Sequence, residues 1–389
     1  MSIDKIPFHK PFIDDNEIQE VVDTLKNGWL TTGPKTKLFE EKFREYVGAE
    51  YGLAANSWTA AAHLALEAMG LKDGDEVIVP ALTFTACAEI VCYFKAIPII
   101  VDIDEKTKNI SVEEIKKHIT PKTKVIMAVH FGGEPCEMDE ILEIAKINNL
   151  KVLEDAAHAF PAKYKGRMIG TLGDATCFSF YATKTLATGE GGMLCTNNPD
   201  IAKRALVMRL HGIDKDPWNR YSFEGDWYYE VIAPGYKYNI TDIQSSLGLH
   251  QLKKADTMRL MRLSIAERYT NAFSAHHELI LPYNSPENES AHHLYSLRVD
   301  ESKLTISRAE FIKLLKEQGV LTSVHFIPLY RHPYYRDTFN LDAADFPVSE
   351  KVFSQIISLP IWPGMTEEQV DKVINSVISI LTANRKLNG

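Results

Sequence analysis

The sequence predicts an α/β fold in which helices cover both faces of a mainly parallel sheet, followed by a smaller α+β domain. Between residues 50 and 200, short apolar runs alternate with longer amphipathic stretches, and the runs lack the polar alternation of a half-exposed strand. After about residue 241 this alternation gives way to a long helical pattern and a polar segment. We therefore expect a large domain over residues 1–250, which begins with a helical arm, and a small C-terminal domain over residues 251–389.

Five short runs have the composition of strands that are buried on both faces. They are rich in Val, Ile and Phe, which favour extended backbone. Parallel strands need long crossover connections, and the amphipathic stretches between these runs can supply them as helices. We therefore expect the runs to form one mainly parallel sheet. The runs are EVIVP (76–80), IPIIVDI (97–103), KVIMAVH (124–130), LKVLEDA (150–156) and ATCFSF (175–180).

The stretches between these strands have helical periodicity. Ser111 and Glu114 have the spacing of a capping box, which marks the start of one helix. Two further amphipathic helices are predicted in the first 45 residues, on either side of the turn WLTTGPKT. Ligands bind at the carboxyl ends of the strands in such sheets, so we expect the chemistry there. The helices predicted before and between the strands cover residues 59–70, 84–95, 111–119 and 137–148.

The pattern after residue 241 predicts a different kind of unit. One long helical pattern extends from DIQSSLGL to AERY, and the polar segment 282–293 that follows it is expected to be a surface loop. A strand, a helix, a second apolar stretch and a final amphipathic helix complete the unit. These four segments are LYSLRVD (294–300), residues 308–318, VLTSVHF (320–326) and residues 366–382.

Composition excludes several classes of protein. The 389 residues are 45% hydrophobic and 24% charged, and 43 Lys and Arg against 52 Asp and Glu give a net charge of −9. Nucleic-acid-binding domains usually carry a basic face, so we expect no nucleic-acid partner. No apolar run approaches the roughly 18 residues of a membrane span, and the N-terminus lacks the apolar core of a signal peptide. Five cysteines, few and odd in number, favour a reduced, cytoplasmic protein.

Three polar residues follow predicted strands at the edge where ligands are expected. Asp155 ends the strand LKVLEDA, His158 lies three residues later, and Lys184 stands in FSFYATKTLATGEGG. Taken singly, such an aspartate is often only a helix cap, and such a lysine is usually a solvated charge. As a set they suit a cofactor that carries an aldehyde and a pyridinium ring. The lysine amine could form a Schiff base with the aldehyde, and the carboxylate could pair with the ring nitrogen.

Other residues at the same edge suit a phosphate and a flat ring. The segment from Asn56 to Ala60 precedes an apolar helix and supplies hydroxyls and backbone N–H groups at a helix start. Ser179, five residues before Lys184, offers another hydroxyl. Phe84 begins the helix after the strand 76–80 and could stack on the ring.

With these segments in view, the sequence resembles the DegT/StrS family of nucleotide-sugar aminotransferases, which use pyridoxal 5'-phosphate and have fold type I, with a seven-stranded sheet in the large domain. TTGPK, EDAAHA and GYKYN most resemble the type that makes UDP-4-amino-4-deoxy-L-arabinose. Eight segments carry the resemblance in the family's order: GWLTTGPKT (28–36), NSWTAAAHLAL (56–66), DEVIVPALTFTA (75–86), VHFGGEP (129–135), EDAAHAF (154–160), FSFYATKTLATGEGGML (178–194), GYKYNITDIQSSLGL (235–249) and SVHFIPLY (323–330).

The resemblance implies roles for individual residues. Lys184 would form the Schiff base and then move the proton between substrate and cofactor carbons, and Asp155 would pair with the pyridinium nitrogen. His158 would lie near the cofactor's phenolic oxygen. The remaining cofactor contacts implied are the phosphate ligands Thr59, Ala60 and Ser179, the stacking ring of Phe84, and Asn239 reaching the phosphate from the partner subunit of a homodimer with shared sites.

Two segments depart from the pattern that many family members share. Trp58 stands where many carry a small residue, which suggests a differently shaped phosphate turn or substrate pocket. Many members also have Gly-x-Asn-x-Arg where this chain has Gly235-Tyr236-Lys237-Tyr238-Asn239. This leaves open whether Lys237 or Asn239 crosses the interface, and the arabinose-type variant favours Asn239.

The implied reaction transfers an amino group from glutamate to a keto group, expected at C4, of a nucleotide-linked deoxysugar, for cell-surface polysaccharide or glycoconjugate biosynthesis. The sugar nucleotide carries a diphosphate, so cations must face it despite the acidic net charge. His325 lies in a family segment near the sugar site, although it could equally be a satisfied strand-end histidine. The residues expected to contact the substrate are Lys35, Trp58, Lys237, His325 and Arg331.

Two alternatives remain. Some relatives are sugar dehydratases that use the same cofactor, but they typically carry histidine where Lys184 stands. A non-catalytic binding or regulatory homologue would not need Lys184, Asp155 and Ser179 together. No metal site is expected, because the adjacent pairs His276-His277 and His292-His293 lack the spacing of metal ligands.

Overall fold

A seven-stranded sheet lies at the centre of the computed structural model, which describes residues 5–214 and 228–386. The strands, in chain order, are β1 (Tyr51–Ala55), β2 (Glu76–Pro80), β3 (Ile97–Val101), β4 (Thr123–Val129), β5 (Lys151–Asp155), β6 (Lys163–Tyr164), β7 (Arg167–Met168), β8 (Ala175–Ser179) and β9 (Gly192–Thr196). The sheet has the order β1-β9-β8-β5-β4-β2-β3, and β6 and β7 form a separate hairpin. The ladders that join β3, β2, β4, β5 and β8 are parallel, whereas β9 is antiparallel to both β1 and β8. The prediction of a mainly parallel sheet is confirmed.

Helices cover both faces of this sheet. Along β2, Val77 and Val79 pack into one apolar cluster and Ile78 packs into another, as the alternation of side chains along a strand requires. The first cluster contains α3 and α4, and the second contains α2 and α6. The helices of this region are α1 (Asp15–Asn27), α2 (Pro34–Val47), α3 (Trp58–Ala68), α4 (Ala86–Tyr93), α5 (Val112–His118), α6 (Met138–Ile147) and α7 (Pro199–Met208).

The C-terminal region contains a smaller antiparallel sheet with its own core. Tyr269, Phe273, Leu297, Phe311 and Val377 are buried in this core. Its strands are β10 (Leu279–Ile280), β11 (Tyr295–Val299) and β12 (Ile356–Leu359), in the order β10-β11-β12. Its helices are α8 (Asp242–Lys253), α9 (Ala255–Phe273), α10 (Arg308–Glu317), α11 (Pro333–Phe339), α12 (Pro347–Gln355) and α13 (Glu367–Asn384).

Several predictions about this region need correction. The long helical pattern forms two helices, because the backbone leaves helical geometry at Lys254, with φ −100° and ψ 0°. Segment 320–326 forms only isolated bridges, which join Val320 to Ile6 and Ser323 to Ser358. The polar segment 282–293 is not all surface, since His293 is 6% exposed. The domain boundary expected at residue 250 stays a prediction.

Residues 5–214 and 228–386 contain neither a candidate membrane-spanning helix nor a candidate group of metal ligands. None of the helices in these ranges combines the length and apolar character that a bilayer crossing requires. Within the same ranges, His, Cys, Asp and Glu do not form a group of three that could hold a metal ion.

Candidate active site

A cavity of about 370 Å³ lies at the carboxyl edge of the parallel strands. It lies where the fold class predicts a ligand site. Eight of the residues singled out in the sequence line this cavity, although they come from segments far apart in the chain. They are Trp58, Thr59, Phe84, Asp155, His158, Ser179, Lys184 and His325.

Asp155 is held in place at the end of β5. One carboxylate oxygen, Oδ1, accepts a hydrogen bond from the backbone N–H of Ala157 at 2.9 Å. The other, Oδ2, accepts a hydrogen bond from the thiol of Cys87 at 3.2 Å. Burial raises the pKa of Asp155, while these hydrogen bonds and the charge of Lys184 oppose the rise. The carboxylate is thus a fixed, poorly solvated acceptor that favours a cationic partner.

Lys184 lies in the loop that follows β8. Its backbone N–H donates to the carbonyl of Tyr181 at 2.8 Å, which fixes the turn that carries the side chain into the cavity. Burial lowers the pKa of Lys184 to about 8, although the charge of Asp155 acts in the opposite direction. An amine with such a pKa is far more often neutral near pH 7.5 than an ordinary lysine, as a nucleophile must be.

The N-terminus of α3 meets the other wall of the cavity. The Ser57 hydroxyl caps this helix by accepting a hydrogen bond from the backbone N–H of Ala60 at 3.0 Å. The Ala60 N–H, which was expected to contact the phosphate, therefore already has an acceptor within the chain. The Thr59 and Ser179 side chains line the cavity beside the cap. A Cβ at Gly192 would lie 2.5 Å from the Ser57 carbonyl oxygen, so glycine allows β9 to approach this turn. Hydroxyls at a helix start fit a phosphate group.

His158 is neutral in this environment. Its Nδ1 accepts the backbone N–H of Gly132 at 3.3 Å, which leaves the proton of a neutral ring on Nε2. Burial lowers the pKa of His158 well below its usual value, and the charges of Lys184 and His325 add to the effect. The ring lies 5.8 Å from that of Phe326, nearly parallel to it. His158 can therefore donate a hydrogen bond from Nε2 without carrying a charge.

Two other predicted residues reach the cavity with different degrees of restraint. Phe84 is 59% exposed, and its nearest ring is Phe326, whose centroid lies 6.0 Å away. Its face is available for stacking. The Nδ1 of His325 lies 2.8 Å from the Ser358 hydroxyl, so this histidine is satisfied within the fold and also lines the cavity.

Besides Ala60, four predicted residues do not line the cavity of their own chain. Lys35 pairs with Glu20 at 2.6 Å on α1. Lys237 donates to the side-chain oxygen of Asn239 at 2.6 Å, and Asn239 donates to the Thr32 hydroxyl at 2.7 Å. The fourth, Arg331, forms a two-pronged ion pair with Glu350. The expected cofactor and substrate contacts of these four residues stay predictions.

Sequence reasoning missed several residues that line the cavity. His293, at the end of the polar segment, lies with its ring 4.4 Å from that of His158, and its Nδ1 has no hydrogen-bond partner among the residues described. Phe8, from the N-terminal arm, stacks on His325 at 5.5 Å. Cys87 lies in the first turn of α4, and its backbone N–H donates to the carbonyl of Phe84 at 3.2 Å. Phe84 thus precedes this helix, contrary to the prediction that it begins the helix. Further residues of the lining, among them Thr83, Tyr181 and Glu190, carried no signal in the sequence.

Comparison with known proteins gives consistent matches over nearly the whole chain. The family described as DegT/DnrJ/EryC1/StrS aminotransferase matches residues 11–378. An uncharacterised protein of Methanocaldococcus jannaschii is 52% identical over 380 residues, 98% of each chain. The spore coat polysaccharide biosynthesis protein SpsC of Bacillus subtilis is 49% identical over 377 residues, 97% of each chain.

Solved structures agree with the fold. The PMP form of the sugar aminotransferase Spr1654 from Streptococcus pneumoniae superposes with a TM-score of 0.90 and 34% identity, over 97% of this chain and 99% of that one. Helicobacter pylori PseC, an aminotransferase of pseudoaminic acid biosynthesis, gives a TM-score of 0.90 at 27% identity, over 97% of this chain and all of that one.

These comparisons confirm three predictions: fold type I, the transaminase class and the pyridoxal phosphate cofactor. The cavity fits that cofactor, because an amine of lowered pKa, a buried carboxylate and hydroxyls at a helix start all face one space. The chain belongs to the DegT/DnrJ/EryC1/StrS aminotransferase family.

Proposed function

We propose that this enzyme transfers an amino group from glutamate to the C4 keto group of a nucleotide-linked deoxysugar. The observation that supports the proposal most directly is that Lys184 and Asp155 line the same cavity as the hydroxyls at the start of α3. The product would serve polysaccharide or glycoconjugate biosynthesis, in keeping with the name of the relative SpsC.

When bound, pyridoxal phosphate supplies an aldehyde that takes up the amino group and a ring that accepts electrons from the substrate carbon. Lys184 Nζ would take a proton from the α-carbon of glutamate and later deliver one to the sugar carbon, since its pKa of about 8 suits both tasks near neutral pH. Asp155 would hold a proton on the ring nitrogen, and His158 would donate from Nε2 to the phenolic oxygen. Thr59, Ser179 and the start of α3 would orient the phosphate.

The sugar is proposed from relatives and motifs. Spr1654, which is 34% identical to this chain, is named as a sugar aminotransferase, and PseC as an aminotransferase of pseudoaminic acid biosynthesis. The motifs TTGPK, EDAAHA and GYKYN favour the arabinose-type subgroup, and hence amination at C4. Trp58 and His325 would contact the sugar from the cavity wall. Lys237, Lys35 and Arg331 are the cations proposed for the diphosphate.

We also propose a homodimer in which Asn239 completes the partner's phosphate site. Asn239 does not line its own cavity, although its backbone bridges to Ala55 immediately before the α3 turn. Large apolar side chains at the cavity and on α1 are about half exposed, among them Phe84 at 59%, Tyr181 at 47% and Leu25 at 53%. A second subunit would cover such surface. The five free thiols support a cytoplasmic location.

The two alternatives predict different results in one experiment. One sample of the enzyme is treated with pyridoxal phosphate and borohydride, and its labelled peptide is mapped. A separate, unreduced sample in the pyridoxamine phosphate form is offered nucleotide 4-keto and 3-keto sugars. We expect the main label on Lys184 and amination of a 4-keto sugar, and in Lys184→Ala only the weak background labelling of exposed lysines. A main label on another residue would contradict the assignment of Lys184, and water loss from the sugar instead of amination would favour the dehydratase.

A further inference from the structure

The thiol of Cys87 contacts the carboxylate at the centre of the candidate active site. Cys87 lies in the first turn of α4, is 1% exposed and lines the cavity. Its Sγ lies 3.2 Å from Oδ2 of Asp155, and the Thr83 hydroxyl lies 3.1 Å from the same sulfur. Three side chains from two segments, 83–87 and the end of β5, thus form a continuous chain of hydrogen bonds.

The direction of each hydrogen bond follows from the groups present. An ionised carboxylate can only accept, so the S–H must point at Oδ2 of Asp155. Burial raises the pKa of Cys87 well above its usual value, and the nearby Asp155 charge adds to the rise, so the thiol keeps this proton. Because the sulfur has only one proton, the Thr83 hydroxyl must donate to it. Oδ1 of Asp155 is fixed separately by the N–H of Ala157.

We propose that Cys87 is a positioning residue for Asp155, and that its thiol orients the carboxylate so that it can pair with the ring nitrogen of the cofactor. The proposal rests on the role given to Asp155 under Proposed function. With one donor on each oxygen, the carboxylate cannot rotate without breaking a hydrogen bond in a poorly solvated site. The thiol donor also favours the ionised form of Asp155, which is the form that pairs with a cation.

The simplest competing interpretation is that Cys87 only fills space. Buried free cysteines often behave as small apolar residues, and Cys195 on β9 is buried as completely as Cys87. The hydrogen bonds given to the Asp155 side chain within the described ranges come from Ala157 and Cys87. Cys195 is therefore a matched control for loss of a buried thiol without loss of a donor to Asp155.

The test measures binding of pyridoxamine 5'-phosphate to the apoprotein by fluorescence between pH 5 and 9. This probe lacks an aldehyde, so its affinity does not depend on a bond to Lys184. Besides Cys87, the titratable groups that act on the Asp155 carboxylate are Lys184 and His130, together with the buried thiols of Cys136 and Cys177. These groups are the same in the wild type, Cys87→Ala, Cys87→Ser and Cys195→Ala.

We expect Cys87→Ala to weaken probe binding about fivefold, the effect of losing one hydrogen bond to a charged group with a weak donor. The acid-side loss of affinity should also move to higher pH, because without the thiol the carboxyl group takes up a proton more readily. Cys87→Ser keeps a donor and should restore both affinity and pH profile, and Cys195→Ala should match the wild type.

Equal behaviour of Cys87→Ala and Cys195→Ala would overturn the proposal, as would a failure of Cys87→Ser to restore binding. If Cys87→Ala does not fold, Thr83→Val removes the hydroxyl behind the sulfur and should shift the profile in the same direction by a smaller amount. An unchanged pH profile in Thr83→Val would also count against the chain of hydrogen bonds from Thr83 through Cys87 to Asp155. If the wild-type apoprotein fails to bind the probe at all, the proposed function fails rather than the role of Cys87.

Discussion

At the scale of single residues, the lowered pKa of Lys184 has a measurable consequence. Burial disfavours the ammonium form, so the amine is largely neutral above its pKa of about 8, whereas an ordinary lysine requires a pH near 10.4. Reductive labelling of Lys184 by pyridoxal phosphate and borohydride should therefore rise with pH and level off above 8. Exposed lysines in the same digest serve as the control, since their labelling should continue to rise. Parallel curves would contradict the lowered pKa.

Asp155 provides a second prediction at this scale. Asp155→Asn keeps the size of the side chain but removes the charge that would hold a proton on the ring nitrogen. We expect the turnover number to fall about a thousandfold, because stabilisation of developing charge in a dry site is strong. Pyridoxamine phosphate affinity should fall only about tenfold, since the phosphate contacts remain. Comparable losses in both measurements would indicate that Asp155 serves binding alone.

The sequence could reveal only those cavity residues that lie in a recognisable local segment. Lys184 and Asp155 stand in strand-end segments whose position indicates a function. His293 and Phe8 come from a polar segment and from the N-terminal arm, and each is an ordinary residue in its own context. Only the folded chain places His293 4.4 Å from His158. Contacts of such long sequence separation are not encoded in any local pattern.

At the scale of elements, one aspartate joins two of the segments that carried the family resemblance. Asp242, at the start of α8, accepts hydrogen bonds from the backbone N–H groups of Gly33, Lys35 and Thr36 at 2.8, 3.1 and 2.9 Å. N–H groups at the start of a helix have no acceptor within the helix, and the cap residue of α2 is a glycine, which has no side chain to accept from them. The turn TTGPK and the segment NITDIQ therefore depend on each other.

This arrangement predicts a large effect of Asp242→Ala. The carboxylate is 2% exposed, so its removal leaves several buried N–H groups without an acceptor. We expect the free energy of unfolding in urea to fall by about 3 kcal/mol or more. The matched control is Asp200→Ala, which removes an exposed carboxylate from the first turn of α7 and should cost about 0.5 kcal/mol. Similar losses in the two variants would contradict the capping role.

The predicted strands were those with a strong local signal. Runs rich in Val and Ile, such as β2 and β4, were located to within a residue or two. β1 and β9 were missed because YGLAA and GMLCT contain no β-branched residue except a final threonine. Their extended form depends on mutual pairing across more than 130 residues, from Tyr51 to Thr196. Pairing of this kind is a tertiary effect that periodicity cannot indicate.

At the scale of the whole molecule, the cavity is lined by the N-terminal arm, by the edge of the large sheet with its loops, and by segments of the C-terminal region. Phe8 comes from the arm, His293 and His325 from the C-terminal region, and Lys184 and Asp155 from the large sheet. The order of eight segments was enough to predict the family, which matches residues 11–378. The sugar and its keto position depend on the shape of the pocket, so the arabinose-type assignment stays a prediction.

The final prediction concerns sites shared between two subunits. If Asn239 completes the partner's site, a dimer of one Lys184→Ala subunit and one Asn239→Ala subunit contains one intact site and one doubly damaged site. Random mixing of equal amounts should then recover about a quarter of wild-type activity, given that half of the dimers are mixed. Each variant alone gives the baseline, and native mass spectrometry confirms that mixed dimers form. Mixed dimers without recovered activity would contradict the proposal that Asn239 crosses the interface. The same mixing with Lys237→Ala in place of Asn239→Ala then tests Lys237.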